Sequence, residues 1–139
     1  MAHERLVPEN VYNQLPRGPT VEDTYSQVVV ATGTRQVHIA GTVSVNEDGE
    51  LVGRDDFRAQ VVQIMENIGK SLEAASATPS DVVRVTIHTV DMDRYLDEGA
   101  PEAVDFFDQD ELPASAIFEV SRLADPEYLV EIETTAVVE

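Results

Sequence analysis

Two glutamates near the end of the chain are the residues best suited to proton transfer. Glu131 and Glu133 lie two positions apart in the predicted last strand, residues 129–138, so they point to the same face of that strand. If that face meets another subunit, the flanking Val130 and Ile132 help to remove the carboxylates from water. A carboxyl group held away from water is a better general acid or base near neutral pH. The residues alone favour the simpler interpretation of a charged strand edge or a solvated face.

The other residue types that support common catalytic chemistry form no recognisable motif. His3, His38 and His88 share no metal-ligand spacing and the chain has no cysteine, so we expect no metal site, no iron–sulfur cluster and no thiol catalysis. His38 and His88 are expected to be strand histidines with satisfied hydrogen bonds. The seven glycines are scattered and no serine lies in a nucleophile elbow, which argues against a phosphate loop and a serine triad. No cofactor is expected.

Hydrophobic periodicity predicts the elements that would position these residues. Residues 25–31 and 36–45 are predicted strands, joined as a hairpin across Thr32-Gly33-Thr34. A long amphipathic helix is predicted over residues 55–77, with an apolar stripe of Phe57, Val61, Ile64, Met65, Ile68 and Leu72. The later predicted elements are a strand at 81–90, a helix at 101–107, and strands at 116–120 and 129–138.

The element order β-β-α-β-α-β-β predicts an α+β fold with two helices on one face of a mixed sheet. Residues 25–139 are expected to form a single domain. Residues 1–24, which contain three prolines and show no sustained period, are predicted to be an irregular N-terminal arm.

The charge of the chain excludes several classes of partner. Lys and Arg total 9 and Asp and Glu total 27, so the net charge is −18. This charge argues against nucleic acid and against an anionic membrane surface as partners. Acidic residues are dispersed and Lys70 is the only lysine, which predicts adaptation to a salt-rich cytoplasm, although an ordinary acidic protein is the alternative. No apolar run could span a membrane and residues 1–5 open no secretory signal, so a cytoplasmic location is expected.

An ordered set of short motifs resembles the RidA/YjgF family. No single motif is specific for the family, but the order and register of the motifs are. Together the motifs cover about residues 25–138. The resemblance implies a chorismate-mutase-like α+β fold and a homotrimer with a small-molecule cleft at each subunit interface. The motifs are Tyr25-Ser26-Gln27, Gly41, Gly49-Glu50-Leu51-Val52, Glu66-Asn67-Ile68, Asp81-Val82-Val83-Arg84, Asp91-Met92-Asp93, Pro113-Ala114 and Leu129-Val130-Glu131-Ile132-Glu133.

The resemblance also implies an activity and a set of site residues. Well-known members of the family hydrolyse reactive enamines and imines such as 2-aminoacrylate, releasing ammonia and a 2-keto acid without a cofactor. Carried over by motif, Tyr25 and Glu131 take the catalytic positions and Gly41 a substrate-binding position. Ser115 and Ile117 follow the Pro113-Ala114 motif and are expected to line the same cleft.

One position departs from the family pattern and leaves the function open. Family deaminases read Pro-Ala-Arg-Ser where this chain has Ser115 in place of the arginine that grips the substrate carboxylate. One hydroxyl does not replace a bidentate guanidinium–carboxylate pair. The chain is therefore expected to be either a hydrolase of an imine or related molecule, with 2-iminoacids as poor substrates, or a non-catalytic small-molecule-binding or interaction protein on the same trimer.

Overall fold

A mixed sheet packed against helical segments forms the framework of the chain. The computed structural model describes residues 3–11 and 23–139. Its strands are β1 (Glu4–Leu6), β2 (Val28–Val30), β3 (Arg35–Thr42), β4 (Val82–Thr89), β5 (Ala114–Glu119) and β6 (Val130–Val138). Its helices are α1 (Phe57–Ala74) and a second helical segment built of α2 (Met92–Arg94), a π-helical turn (Tyr95–Gly99) and α3 (Ala100–Asp105).

The main sheet has four strands in the order β3-β6-β4-β5. β4 and β5 are parallel, whereas β6 is antiparallel to both of its neighbours, β3 and β4. The predicted α+β class with a mixed sheet is confirmed. Parallel pairing of β4 with β5 is possible because the second helical segment carries the chain from the end of one strand back to the start of the other.

The predicted hairpin of the first two strands is wrong. β2 pairs antiparallel with β1, and β3 pairs instead with the C-terminal strand β6. The chain between β2 and β3 passes close to the end of β6, where the Thr34 N–H donates to the Val138 carbonyl at 3.0 Å. A Cβ at Gly33 would lie 2.6 Å from that same oxygen, so the turn needs a glycine there.

The N-terminal arm is not irregular throughout, because β1 lies within it. β1 pairs with β2 in register from Glu4 opposite Val30 to Leu6 opposite Val28. Arg5, the middle residue of β1, donates from Nε to the Leu112 carbonyl at 3.0 Å, which connects the arm to the chain just before β5. Residues 12–22 of the predicted arm lie outside the described residues.

The predicted long helix is confirmed, with shorter bounds. Asp56 caps its N-terminus by accepting a hydrogen bond from the Ala59 N–H at 3.0 Å. Asp55 and Ser76 adopt positive φ angles of 52° and 58°, which a right-handed helix does not allow, so the helix lies between them. The predicted apolar stripe is the buried face, with Phe57, Val61, Ile64, Met65, Ile68 and Leu72 all in the core.

The main sheet has two unlike faces. The covered face, which carries Val85, Ile87 and Ile132, packs with α1 in the hydrophobic core. The opposite face, here called the open face, is not covered by any helix among residues 3–11 and 23–139. Its side chains belong to all four strands. The polar ones are Gln36, His38, Arg84, Thr86, His88, Glu131, Glu133 and Thr135, and the apolar ones include Ala114, Ala116, Phe118 and Val137.

Candidate functional site

A cavity of about 810 Å³ lies between the covered face of β4 and β5 and the second helical segment. The π-helical turn shapes its inner wall, because Tyr95 is buried there against Gly99. A Cβ at Gly99 would lie only 2.9 Å from the Tyr95 ring. The cavity is mainly apolar, and its walls include Val85, Ile87, Leu96, Pro101, Val104, Phe107 and Ile117.

Three of the five site residues named from the sequence lie in this cavity. Ser115 and Ile117 are paired with Val85 and Ile87 in the parallel β4–β5 register, so they share the covered face and point towards the second helical segment. Tyr25 lines the cavity from the N-terminal side. Its neighbour Ser26 donates from the backbone N–H to the Pro113 carbonyl at 3.0 Å and from Oγ to the Leu112 carbonyl, which holds Tyr25 beside the start of β5.

The other two residues, Gly41 and Glu131, lie together on the open face. Glu131 is paired with His88 in the antiparallel β4–β6 register. A Cβ at Gly41 would lie 2.8 Å from both Cδ and Oε2 of Glu131, so the carboxylate rests directly on the glycine backbone. The sheet register shifts between Ile39 and Thr42, which places Gly41 at an irregularity in β3. The Glu131 carboxylate makes no hydrogen bond or ion pair with a described residue.

The cavity residues and the Gly41–Glu131 pair do not meet within one chain. Glu131 on β6 and Ser115 on β5 are separated by β4, a lateral distance of about 10 Å. They also point to opposite faces of the sheet, because Glu131 pairs with His88 whereas Ser115 pairs with Val85. A small molecule in the cavity of one chain therefore does not contact Glu131 of that same chain.

The three histidines lie outside the cavity lining. His3 is buried, donating from Nε2 to the Val137 carbonyl and accepting at Nδ1 from the Thr32 N–H, each at 3.0 Å. His38 bonds Gln36, as expected for a strand histidine. The expectation for His88 is wrong in one respect, because its buried Nδ1 has no hydrogen-bond partner among the described residues.

Neither a metal centre nor a membrane span is found in the described part of the chain. No three or more His, Asp or Glu side chains there are grouped so that they could hold a metal ion. No helix within residues 3–11 and 23–139 is long and apolar enough to cross a membrane.

Sequence reasoning missed Tyr95 and the π-helical turn as parts of the cavity wall. The helix predicted at residues 101–107 instead begins at Met92, where Asp91 caps it by accepting from the Arg94 N–H at 3.1 Å. The pattern Asp91-Met92-Asp93 was a usable signal, since aspartate is a favoured N-cap residue. A π-helical turn has no comparable sequence signature.

Comparisons with known proteins agree on one family. The model of the family described as Endoribonuclease L-PSP matches residues 16–138. A RutC family protein of Pyrococcus horikoshii is 35% identical over 122 residues, covering 87% of this chain and 88% of that protein. A crystal structure of a Yersinia pestis protein of unknown function from the conserved Rid family, YyfB, has a TM-score of 0.85 and 35% identity, covering 99% of this chain and 100% of that one. The YjgF gene product from E. coli has a TM-score of 0.65 and 27% identity, with 76% of this chain and 83% of that chain covered.

Proposed function

This chain belongs to the Endoribonuclease L-PSP family, in agreement with its resemblance to the RidA/YjgF proteins, and we propose that it binds a small molecule between the subunits of a homotrimer and hydrolyses an imine or enamine there. The observation that carries the proposal is the division of the five site residues between two faces. Tyr25, Ser115 and Ile117 line the cavity, but Glu131 is not part of its lining. Gly41 and Glu131 lie together on the open face, away from that cavity. A second copy that sets its open face against the mouth of the cavity completes the site.

The open face has features that favour contact with another copy. Phe118 is 51% exposed there and stacks on His88 at 5.8 Å between ring centroids. Contact with a second copy covers this ring and the rest of the uncovered sheet face, which removes their apolar surface from water.

The proposed chemistry needs water and one carboxylate. Glu131 accepts a proton from water as the water oxygen attacks the imine carbon, and the imine nitrogen takes up a proton. The resulting carbinolamine loses ammonia when its C–N bond breaks, and the oxygen gives up its proton as the C=O bond forms. The net change consumes one water and releases one ammonia, with no oxidant or reductant. An enamine enters the same route after it tautomerises to the imine.

The environment of Glu131 fits this role. Its carboxylate is half-buried on the open face and is not engaged by another described residue, so its oxygens remain available to a water molecule. Gly41 gives the carboxylate space and fixes where it lies. Tyr25 supplies a phenol to the opposite half of the site, where it can hydrogen-bond the substrate.

RNA is a poor alternative substrate despite the family description. A ribonuclease must bring a phosphate backbone to its active site, and that requires a basic footprint. This chain carries a net charge of −18 and no Lys or Arg among the described residues that line the cavity. The alternative that one observation favours is a non-catalytic small-molecule binder, because Ser115 stands where family deaminases have their arginine.

An ammonia-release assay tests the proposal. Imines are generated in situ by enzymatic oxidation of primary amines and amino acids, and ammonia is followed with wild type, Glu131→Gln and Glu133→Gln. Glu133 is a matched control because it lies two residues away on the same strand and face and is exposed. We expect wild type and Glu133→Gln to accelerate release and Glu131→Gln to lose at least about a hundredfold in rate. Equal rates in wild type and Glu131→Gln would refute the catalytic role, and ligand binding without release would favour the non-catalytic binder.

A further inference from the structure

We infer that the cavity selects ligands that carry nitrogen but no carboxylate, that is, amines and amine-derived imines with an apolar body, and that the Tyr95 hydroxyl is their hydrogen-bond partner. The inference deepens the proposed function by naming a substrate class for the same site, and it rests on that proposal only where it speaks of imines as substrates. Three features of the cavity carry it: the apolar walls, the charge of the lining, and the Tyr95 phenol, which has no hydrogen-bond partner among the described residues.

The walls favour an apolar ligand body. Leu96, Val104, Phe107 and Ile117 present aliphatic and aromatic surface to a volume of about 810 Å³. A space of this size and polarity is typical of small-molecule sites, which bury most of the surface of an apolar ligand. A ligand made largely of charged or hydroxylated groups would lose its hydration there without finding partners.

The charge of the lining disfavours an anion. No Lys, Arg or His belongs to the cavity lining among the described residues, and Ser115 is neutral. The lining includes the carboxylates of Asp23, Asp105 and Asp108, of which Asp105 and Asp108 are exposed and form no ion pair with a described residue. A carboxylate ligand would therefore approach like charges without a Lys, Arg or His in the described lining to compensate, whereas an ammonium or iminium group would be attracted.

The Tyr95 hydroxyl supplies the polar contact. Tyr95 is 1% exposed and lines the cavity, and it makes no hydrogen bond to a described residue. Burial alone raises the pKa of Tyr95, so the phenol stays protonated at any physiological pH. The Tyr95 hydroxyl is not one of the fully buried polar atoms that lack a partner among the described residues, so it is open to the cavity. A ligand nitrogen in the cavity can pair with it, because the phenol can donate to a neutral imine nitrogen or accept from an N–H group.

A matched ligand series tests the inference without relying on catalysis. Binding of 3-phenylpropylamine, 3-phenylpropan-1-ol and 3-phenylpropionate to the full-length wild-type protein is measured by calorimetry at low and physiological salt. The three compounds share one apolar body and differ in the terminal group. We expect the carboxylate to bind at least about tenfold more weakly than the amine, with the alcohol between them. A carboxylate that binds as tightly as the amine, or a series in which no compound binds, overturns the inference.

Variants separate the contribution of each residue. Tyr95→Phe is expected to weaken amine binding about fivefold to tenfold, while Tyr128→Phe, a half-buried tyrosine outside the cavity lining, leaves it unchanged. Because the Tyr95 hydroxyl has no described protein partner, Tyr95→Phe is expected to keep the wild-type melting temperature at neutral pH. Unchanged amine affinity in Tyr95→Phe overturns the role of this residue. Ser115→Arg is expected to reverse the order of affinities, so that the carboxylate binds more tightly than the amine. An unchanged order counts against the electrostatic argument.

The test fails independently of the proposed function. If the amine binds as expected but no imine is hydrolysed, the enzymatic proposal is wrong and the ligand preference stands. If imines are hydrolysed but the carboxylate binds as well as the amine, the ligand preference is wrong and the enzymatic proposal stands.

Discussion

Glu131 rests on the backbone of Gly41, and no side chain larger than hydrogen fits between them. A Cβ at Gly41 would lie 2.8 Å from Glu131 Cδ and Oε2 and 3.1 Å from Cγ. The obstructed atoms belong to the far end of a flexible side chain, so a methyl group would displace the carboxylate rather than the strand. The glycine is thus tied to the position of a carboxylate, and not to a special backbone angle.

Gly41→Ala is therefore expected to lower imine hydrolysis by at least about tenfold while changing the melting temperature little, because a misplaced general base costs rate and not stability. Gly69→Ala is the control. Gly69 lies inside α1, where a Cβ would meet Phe106 at an ordinary 3.5 Å, and alanine there should stabilise the helix by about 1 kcal/mol. Kinetics and thermal unfolding on both variants check this. Full activity in Gly41→Ala would show that the position of Glu131 on the glycine is irrelevant to rate.

Gln60 is expected to be a large contributor to stability. It is fully buried in α1, and its Nε2 donates to the Gly53 and Glu127 carbonyls at 3.1 and 3.0 Å while Oε1 accepts from the Leu129 N–H at 3.0 Å. Gln60→Leu leaves all three backbone groups without this partner, and we expect a loss of about 2–4 kcal/mol in the free energy of unfolding.

Urea unfolding measures the effect, with Gln63→Leu as the control. Gln63 is half-buried one turn along the same helix and donates a single side-chain hydrogen bond, to Asn67 Oδ1. A loss below about 1 kcal/mol is expected for the control. Equal losses in the two variants would contradict the role assigned to Gln60.

The burial of Tyr95 predicts a loss of stability at alkaline pH. Because its folded pKa is raised above the unfolded value, the unfolded state releases the phenol proton first as pH rises, and the free energy of unfolding falls. The contribution of Tyr95 to the free energy of unfolding is complete below about pH 10. Above that pH it declines at about 1.4 kcal/mol per pH unit until the folded group also ionises. Chemical unfolding of wild type and Tyr95→Phe between pH 8 and 11 checks this. The variant should show the shallower decline, and parallel curves would contradict the burial argument.

The charge composition predicts a response to salt. With a net charge of −18 and a single lysine, like-charge repulsion opposes both folding and assembly, and molar salt shortens its range to about 3 Å. The melting temperature and the trimer fraction are expected to rise from low to molar potassium chloride. A flat or falling trend would favour the ordinary acidic protein over the halophilic one.

Local patterns predicted most of the elements. The stripe from Phe57 to Leu72 predicted α1 and its buried face, and the alternation in residues 129–138 predicted β6 with Glu131 and Glu133 on one side. These features depend on the period of a single element, which the sequence displays directly.

Pairing between distant segments was beyond such patterns. Local spacing favoured a β2–β3 hairpin, but β2 pairs with Glu4–Leu6 and β3 with the C-terminal strand, because side-chain packing over the whole fold decides strand partners. The same limit applies to the site. The resemblance supplied Tyr25, Gly41, Ser115, Ile117 and Glu131 as one set, and only the sheet register shows that the set is split between two faces.

The central claim is that one site takes its cavity from one subunit and Glu131 from another, and subunit exchange tests it most directly. Glu131→Gln removes the carboxylate half, and Ser115→Phe fills the cavity half. Each variant alone should be inactive in imine hydrolysis. After 1:1 exchange, with mixed trimers verified by native mass spectrometry, random assortment gives about one quarter of interfaces two intact halves, so about a quarter of the wild-type rate should return. Mixed trimers that remain inactive would contradict a site shared between subunits.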